Sequence, residues 1–128
     1  MNVSIGKHIY TALAEIEGLT IYPVVAAFND PAPTTPFAVY QRTSTTPDYT
    51  KSLFVGDITH NFSVTVVDND YDSTVELAQQ AIDKLMALSH TDCEDIRFGQ
   101  VMMTDLSEDF QEGLFLQHIQ FEINTQAK

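Results

Sequence analysis

Asp68, Asp70 and Asp72 stand at alternate positions in VVDNDYDSTVELAQQAIDKL (66–85), an arrangement in which three carboxylates can share one cation. The calcium loop of an EF-hand needs that alternation, then glycine at its sixth position and glutamate at its twelfth. Here the sixth position is Ser73 and the twelfth is Gln79. The turn lacks its glycine and the cation lacks its bidentate ligand. A strand-to-helix junction accounts for more of the residues. Ser73 and Glu76 fit a capping box, with the serine capping a free backbone N–H and the glutamate reaching back. Aspartates at a helix N-terminus also meet the positive end of its dipole, each worth about 0.3–1 kcal/mol. The stretch reads as a helix cap, with a weak cation site as the lesser alternative.

No other constellation is better placed for chemistry. His90 and Cys93 have a metal-like spacing but no second pair to complete a zinc site. Cys93 lies among Asp92, Glu94 and Asp95, whose charges disfavour a thiolate and blunt its nucleophilicity. As the single cysteine it forms no internal disulfide, which suits synthesis in a reducing cytosol. His8, His60, His90 and His118 are scattered; His60 and His118 read as ordinary sheet histidines, or as neighbours across paired strands. The chain has no nucleophile elbow, phosphate-binding glycine loop or dinucleotide fingerprint, and no pair of carboxylates set apart as acid and base. The expectation is a protein that is not an enzyme, with no catalytic residue, cofactor or metal.

The elements that would carry any site fit one domain, 1–128, of which 44% is apolar. Acidic residues outnumber basic ones 18 to 6, for a net charge of −12, so phosphate backbones are repelled. No apolar run reaches the ~20 residues that span a bilayer, so no membrane partner is expected. Val3, Ile5, Ile9, Ala12, Leu13 and Ile16 step by threes and fours, predicting an amphipathic helix rather than a leader. Asn2 or Ser4 is suited to cap it and Gly18 to end it. Residues 20–28 read as a short or edge strand because of Pro23, 29–36 as a proline-rich loop, and 37–44 as a strand. The stretch 45–57 reads as a long loop tipped by Tyr49, Leu53, Phe54 and Val55. Either it is a contact surface, or Leu53 to Val55 begin the next strand and enter the core.

Residues 58–67 alternate, with Ile58, His60, Phe62, Val64 and Val66 on one side. Leu77, Ala81, Leu85 and Leu88 form the stripe of a second helix, followed by a loop at 89–95. A strand over 95–106 changes parity at Gly99, a natural bulge. An acidic turn at 107–113 leads to a last strand, 114–123, before a polar tail. The order α-β-β-β-α-β-β predicts an α+β fold: a mainly antiparallel sheet of four to five strands with two amphipathic helices on one face.

This ordered set resembles the small tail-completion, or tail-terminator, proteins of long-tailed bacteriophages and prophages. The resemblance covers nearly the whole chain. It rests on Ile21-Tyr22-Pro23, on Pro36 to Tyr40, and on the junction at Tyr71-Asp72, in that order. It implies a structural protein of the virion tail, made in the bacterial host cytoplasm. Its partners would be copies of itself in a ring, usually a hexamer, together with the tail tube protein and the head–tail connector. The ring would cap the tube, and DNA would pass through without specific binding. Under that reading Tyr49, Leu53 and Phe54 are expected at the subunit contact. Asp105, Glu108, Asp109 and Glu112 would form an acidic surface towards the lumen, unless they are only a solvated turn. Another neck adaptor is the alternative, and a monomeric ligand-binding domain a more distant one.

Overall fold

In the computed structural model the described residues are 5–23, 35–49, 55–93 and 96–127. They form α1 (Ile5–Leu13), β1 (Thr20–Pro23), β2 (Phe37–Tyr49), β3 (Val55–Asp68), α2 (Tyr71–Met86), β4 (Asp92–Cys93), β5 (Ile96–Gln111) and β6 (Leu114–Ala127). The strands make one sheet in the order β1-β2-β3-β6-β5-β4. All pairings are antiparallel except β1 with β2, which is parallel. The α+β class, element order and mainly antiparallel sheet are those expected, with β4 a two-residue addition inside the supposed 89–95 loop. β1, which contains Pro23, is an edge strand.

One face of the sheet carries the core. Cross-strand pairs Phe62–Phe121, Val64–Ile119 and His60–Ile123 align β3 with β6, and Val101–Ile123 aligns β6 with β5. Ile5, Ile9, Ala12 and Leu13 of α1 and Leu77, Ala78, Ala81 and Leu85 of α2 close over that face. Each large side chain buried there contributes about 1.5–3 kcal/mol. Gly18, at φ 80°, ends the turn after α1 in the left-handed conformation its position called for. At Gly99 the β5–β6 register slips between Phe98 and Val101, the bulge its parity change implied. A Cβ there would lie 2.7 Å from the Asn124 Oδ1 atom, so the close approach favours glycine.

Four expectations are corrected. The cap of α2 is Asp70 rather than Ser73: its carboxylate accepts from the Ser73 N–H at 2.9 Å, and the helix starts at Tyr71. Ser73 Oγ instead donates to Asp68 Oδ2 at 2.6 Å, while Asp68 Oδ1 accepts from its neighbour Asn69 N–H. The supposed 45–57 loop is mostly strand, since β2 continues to Tyr49 and β3 begins at Val55 opposite it. The acidic turn at 107–113 shrinks to Glu112 and Gly113, at φ 52° and 80°, a tight hairpin turn between Gln111 and Leu114. The polar tail continues as strand to Ala127. Polar residues on a strand imitate the composition of a loop, whether exposed, as at 107–111, or paired with a buried group, as Thr45 and Thr125 are with His60, which hid these extensions. The expected caps Asn2 and Ser4, the apolar Val3 and most of the 29–36 loop lie outside the described residues.

The core face also takes in a polar row. His60 is fully buried, with Nδ1 3.2 Å from Thr45 Oγ1 and Nε2 3.1 Å from Thr125 Oγ1. His118 lies on the other face beside Thr65 Oγ1 at 3.1 Å, so the two histidines are not neighbours. Burial, with the Arg42 charge second, lowers the His60 pKa from 6.5 to about 4.

Two measurements follow. Asp70→Ala removes the cap and is expected to cost about 1 kcal/mol in chemical denaturation, with the fold kept. For His60 the unfolded chain binds a proton that the native state refuses. Stability is therefore lost as pH falls from 6.5 towards about 4 and changes no further below. The expected loss is on the order of 2 kcal/mol after allowance for solvent screening. His60→Gln should remove that part of the pH slope, and an unchanged slope would refute the assignment.

Candidate assembly surface

A helix rises about 1.5 Å per residue and a strand about 3.3 Å. The 16 residues of α2 therefore reach about 24 Å, while the 16 of β5 reach about 53 Å. The helices cannot cover the strands end to end. The register shows where the excess goes. Asp57 pairs with Gln126 and Asp68 with Phe115, so the Tyr49–Val55 pair that ends β2 and begins β3 lies at the opposite end of the sheet from the β5–β6 turn.

The β5–β6 end is the better described. Ile96, Phe98 and Val101 are buried, but every β5 residue from Met102 to Gln111 is exposed. On its outer side β5 is paired with β4 only at Ile96 and Arg97. The preceding turn supplies partners for the Phe98 N–H, the Gly99 carbonyl and the Val101 N–H. Beyond these, no described strand covers the edge. Met103, Leu106, Glu108 and Phe110 stand opposite Phe121, Ile119, Gln117 and Phe115, on the helix-bearing face. Asp105, Ser107 and Asp109 stand opposite Gln120, His118 and Leu116, on the bare face. The first row leaves Leu106 44% and Phe110 58% exposed, two large apolar side chains on an open sheet edge, the kind of surface that invites a partner.

Glu108 ties this arm to the start of α2. Its Oε2 accepts from Tyr71 Oη and from Gln117 Nε2, each at 2.6 Å. These bonds, Tyr71 first, hold the Glu108 carboxyl below its ordinary pKa, and the same contact raises the Tyr71 phenol. The Tyr71 ring meets Phe115 edge-on at 5.6 Å, and Phe110 lies 4.7 Å from Phe115. Asp109 serves its own strand, accepting from the Phe110 N–H and from Gln111 Nε2.

The four acidic residues named from sequence thus do not share one face. Asp105 and Asp109 are on the bare face, Glu108 on the helix-bearing face, and Glu112 in the hairpin turn. Tyr49 closes β2 opposite Val55 at the other hairpin; its side chain, with Leu53 and Phe54, lies outside the described residues. The side chain of Cys93 does too. Among the described residues no three His, Cys, Asp or Glu side chains converge as metal ligands, and Asp68 and Asp70 are taken up by the junction. The apolar row of β5 escaped sequence reading because the register slips again between Met103 and Asp105. That slip turns strict alternation into the 103, 106, 110 spacing of an irregular segment.

No family model matches this sequence, and no curated protein sequence matches it. Among solved structures the chain is similar to a protein chain in the virion of a native gene transfer agent (GTA) particle. The TM-score is 0.64 at 14% identity, over 92% of this chain and 91% of that one. A bacteriophage SPP1 gp17 protein structure aligns with a TM-score of 0.49 at 15% identity, over 98% of this chain and 89% of that one. The first likeness shows that the α+β fold as a whole, with its order of helices and strands, is one also found in a virion component.

Proposed function

We propose that this chain is a structural virion protein, a ring-forming tail terminator that caps the tail tube and joins it to the head connector. The observation that carries the reading is the fold, shared over nearly its whole length with a chain of a GTA virion. The sequence resemblance at Ile21 to Pro23, Pro36 to Tyr40 and Tyr71-Asp72 supports the same reading. So does the form of the candidate surface, which offers edges and apolar rows in place of a reaction centre. A ring needs two different contact surfaces on each subunit. The end of the sheet where Tyr49 faces Val55 suits one of them, and on this reading Tyr49, Leu53 and Phe54 form part of the subunit contact. A net charge of −12 lets DNA pass without sticking. On this reading the chain acts in the virion tail and is not an enzyme. Because a fold does not fix a position in a particle, another neck adaptor is the second reading.

The test is the mass of the purified chain by native mass spectrometry, alone and with polymerised tail tubes, alongside electron microscopy of tube ends. A ring, expected to hold six chains of 14.3 kDa, should form alone or on the tube and halt its growth. Leu53→Asp with Phe54→Asp should abolish the ring and leave the circular dichroism of the monomer unchanged. A chain that stays monomeric with tubes present and leaves their growth unaffected would overturn the proposal.

A further inference from the structure

We propose that the open edge of β5, residues 102–111, receives an added strand from a protein partner whose residues alternate apolar and basic. The inference concerns a different surface from the hairpin tip assigned to the subunit contact, and it stands whether or not the chain forms a ring.

An uncovered edge presents backbone N–H and C=O groups that an extended peptide can complete, with side-chain rows deciding which peptide is accepted. Both rows are defined here. On the helix-bearing face Met103, Leu106 and Phe110 are apolar and exposed, and Tyr71, itself 44% exposed, borders them. Glu108 stands between Leu106 and Phe110 in that row, and its charge is met by hydrogen bonds from Tyr71 of α2 and from Gln117 of β6, the strand on the side away from the edge. On the bare face Asp105 and Asp109 flank Ser107; Asp109 also accepts from the Phe110 N–H and from Gln111 Nε2, both neutral donors that leave its negative charge uncompensated. Successive residues of an added strand would fall on these two faces in turn. Those beside Leu106 and Phe110 would be dry and those beside Asp105 and Asp109 would face carboxylates, so the first set is apolar and the second lysine or arginine.

The same charges argue against other occupants. A second copy brings a net charge of −12 to an acidic edge. The six Lys and Arg residues are also too far apart to supply two at alternate positions, the nearest two being Arg42 and Lys51. Nucleic acid is repelled outright. Charge used only to protect an edge from aggregation would not be accompanied by a row as apolar and exposed as Leu106 and Phe110.

Three ten-residue fluorescent peptides test the proposal with the full-length chain: one alternating valine and lysine, one with the same residues in two blocks, and one alternating valine and glutamate. The alternating lysine peptide should bind at least tenfold more tightly than either control and slow amide hydrogen exchange within 102–111. Methylating its backbone nitrogens along one edge should abolish binding. Asp105→Lys with Asp109→Lys, and separately Leu106→Ser, should each weaken binding about tenfold or more. Both changes are at exposed positions, and circular dichroism will show that the fold is kept. Equal binding of the block peptide, protection elsewhere than 102–111, or self-association of the chain through this edge would each overturn the proposal.

Discussion

The structure depends on the pairing of β3 with β6 and on one mismatch of length around it. Phe62 against Phe121 and Val64 against Ile119 form the centre of the buried face, and both helices rest on it. The four long strands, β2, β3, β5 and β6, are about twice as long as the longer helix can cover. What the helices shelter becomes core, and what they do not becomes surface while still being sheet. Exposed edges and hairpin arms are thus a geometric consequence of short helices on long strands.

A site for bond chemistry needs side chains converging in a sheltered place with tuned ionisation. The most displaced titratable group in the core, His60, is instead held neutral between two threonine hydroxyls, which satisfies both ring nitrogens inside the sheet. The aspartates at the end of β3 serve the turn into α2, with Asp68 accepting from Ser73 and Asp70 capping the helix. Among the described residues the exposed apolar row of β5 and its open backbone edge lie at the periphery.

The β5–β6 arm shows how such a periphery can be ordered without being buried. Glu108 binds the first residue of α2 and a neighbouring strand at once, and the Phe115 ring meets Tyr71 edge-on and Phe110 at a tilt. Ionised and accepting two short hydrogen bonds, Glu108 fixes the arm's position relative to the helix. Pre-ordering of this kind lowers the entropy lost when a partner docks.

The sequence by itself determined the two helices, the alternation of 58–67, the edge character of β1 at Pro23, the bulge at Gly99 and the α+β class. Each is a short-range signal: apolar period, a missing donor, or a residue free of steric limits. It did not determine where strands end when their residues are polar. Residues 45–49 and 107–111 look like loop, and their backbone is extended because a partner strand lies beside it. Nor did it reveal that Met103, Leu106 and Phe110 share a face, because a slip at Thr104 breaks the period that would have shown it. Which acidic residues stand together was likewise decided by register. Pairing partners distant in sequence set it, so only the tertiary structure separated Glu108 from Asp105 and Asp109.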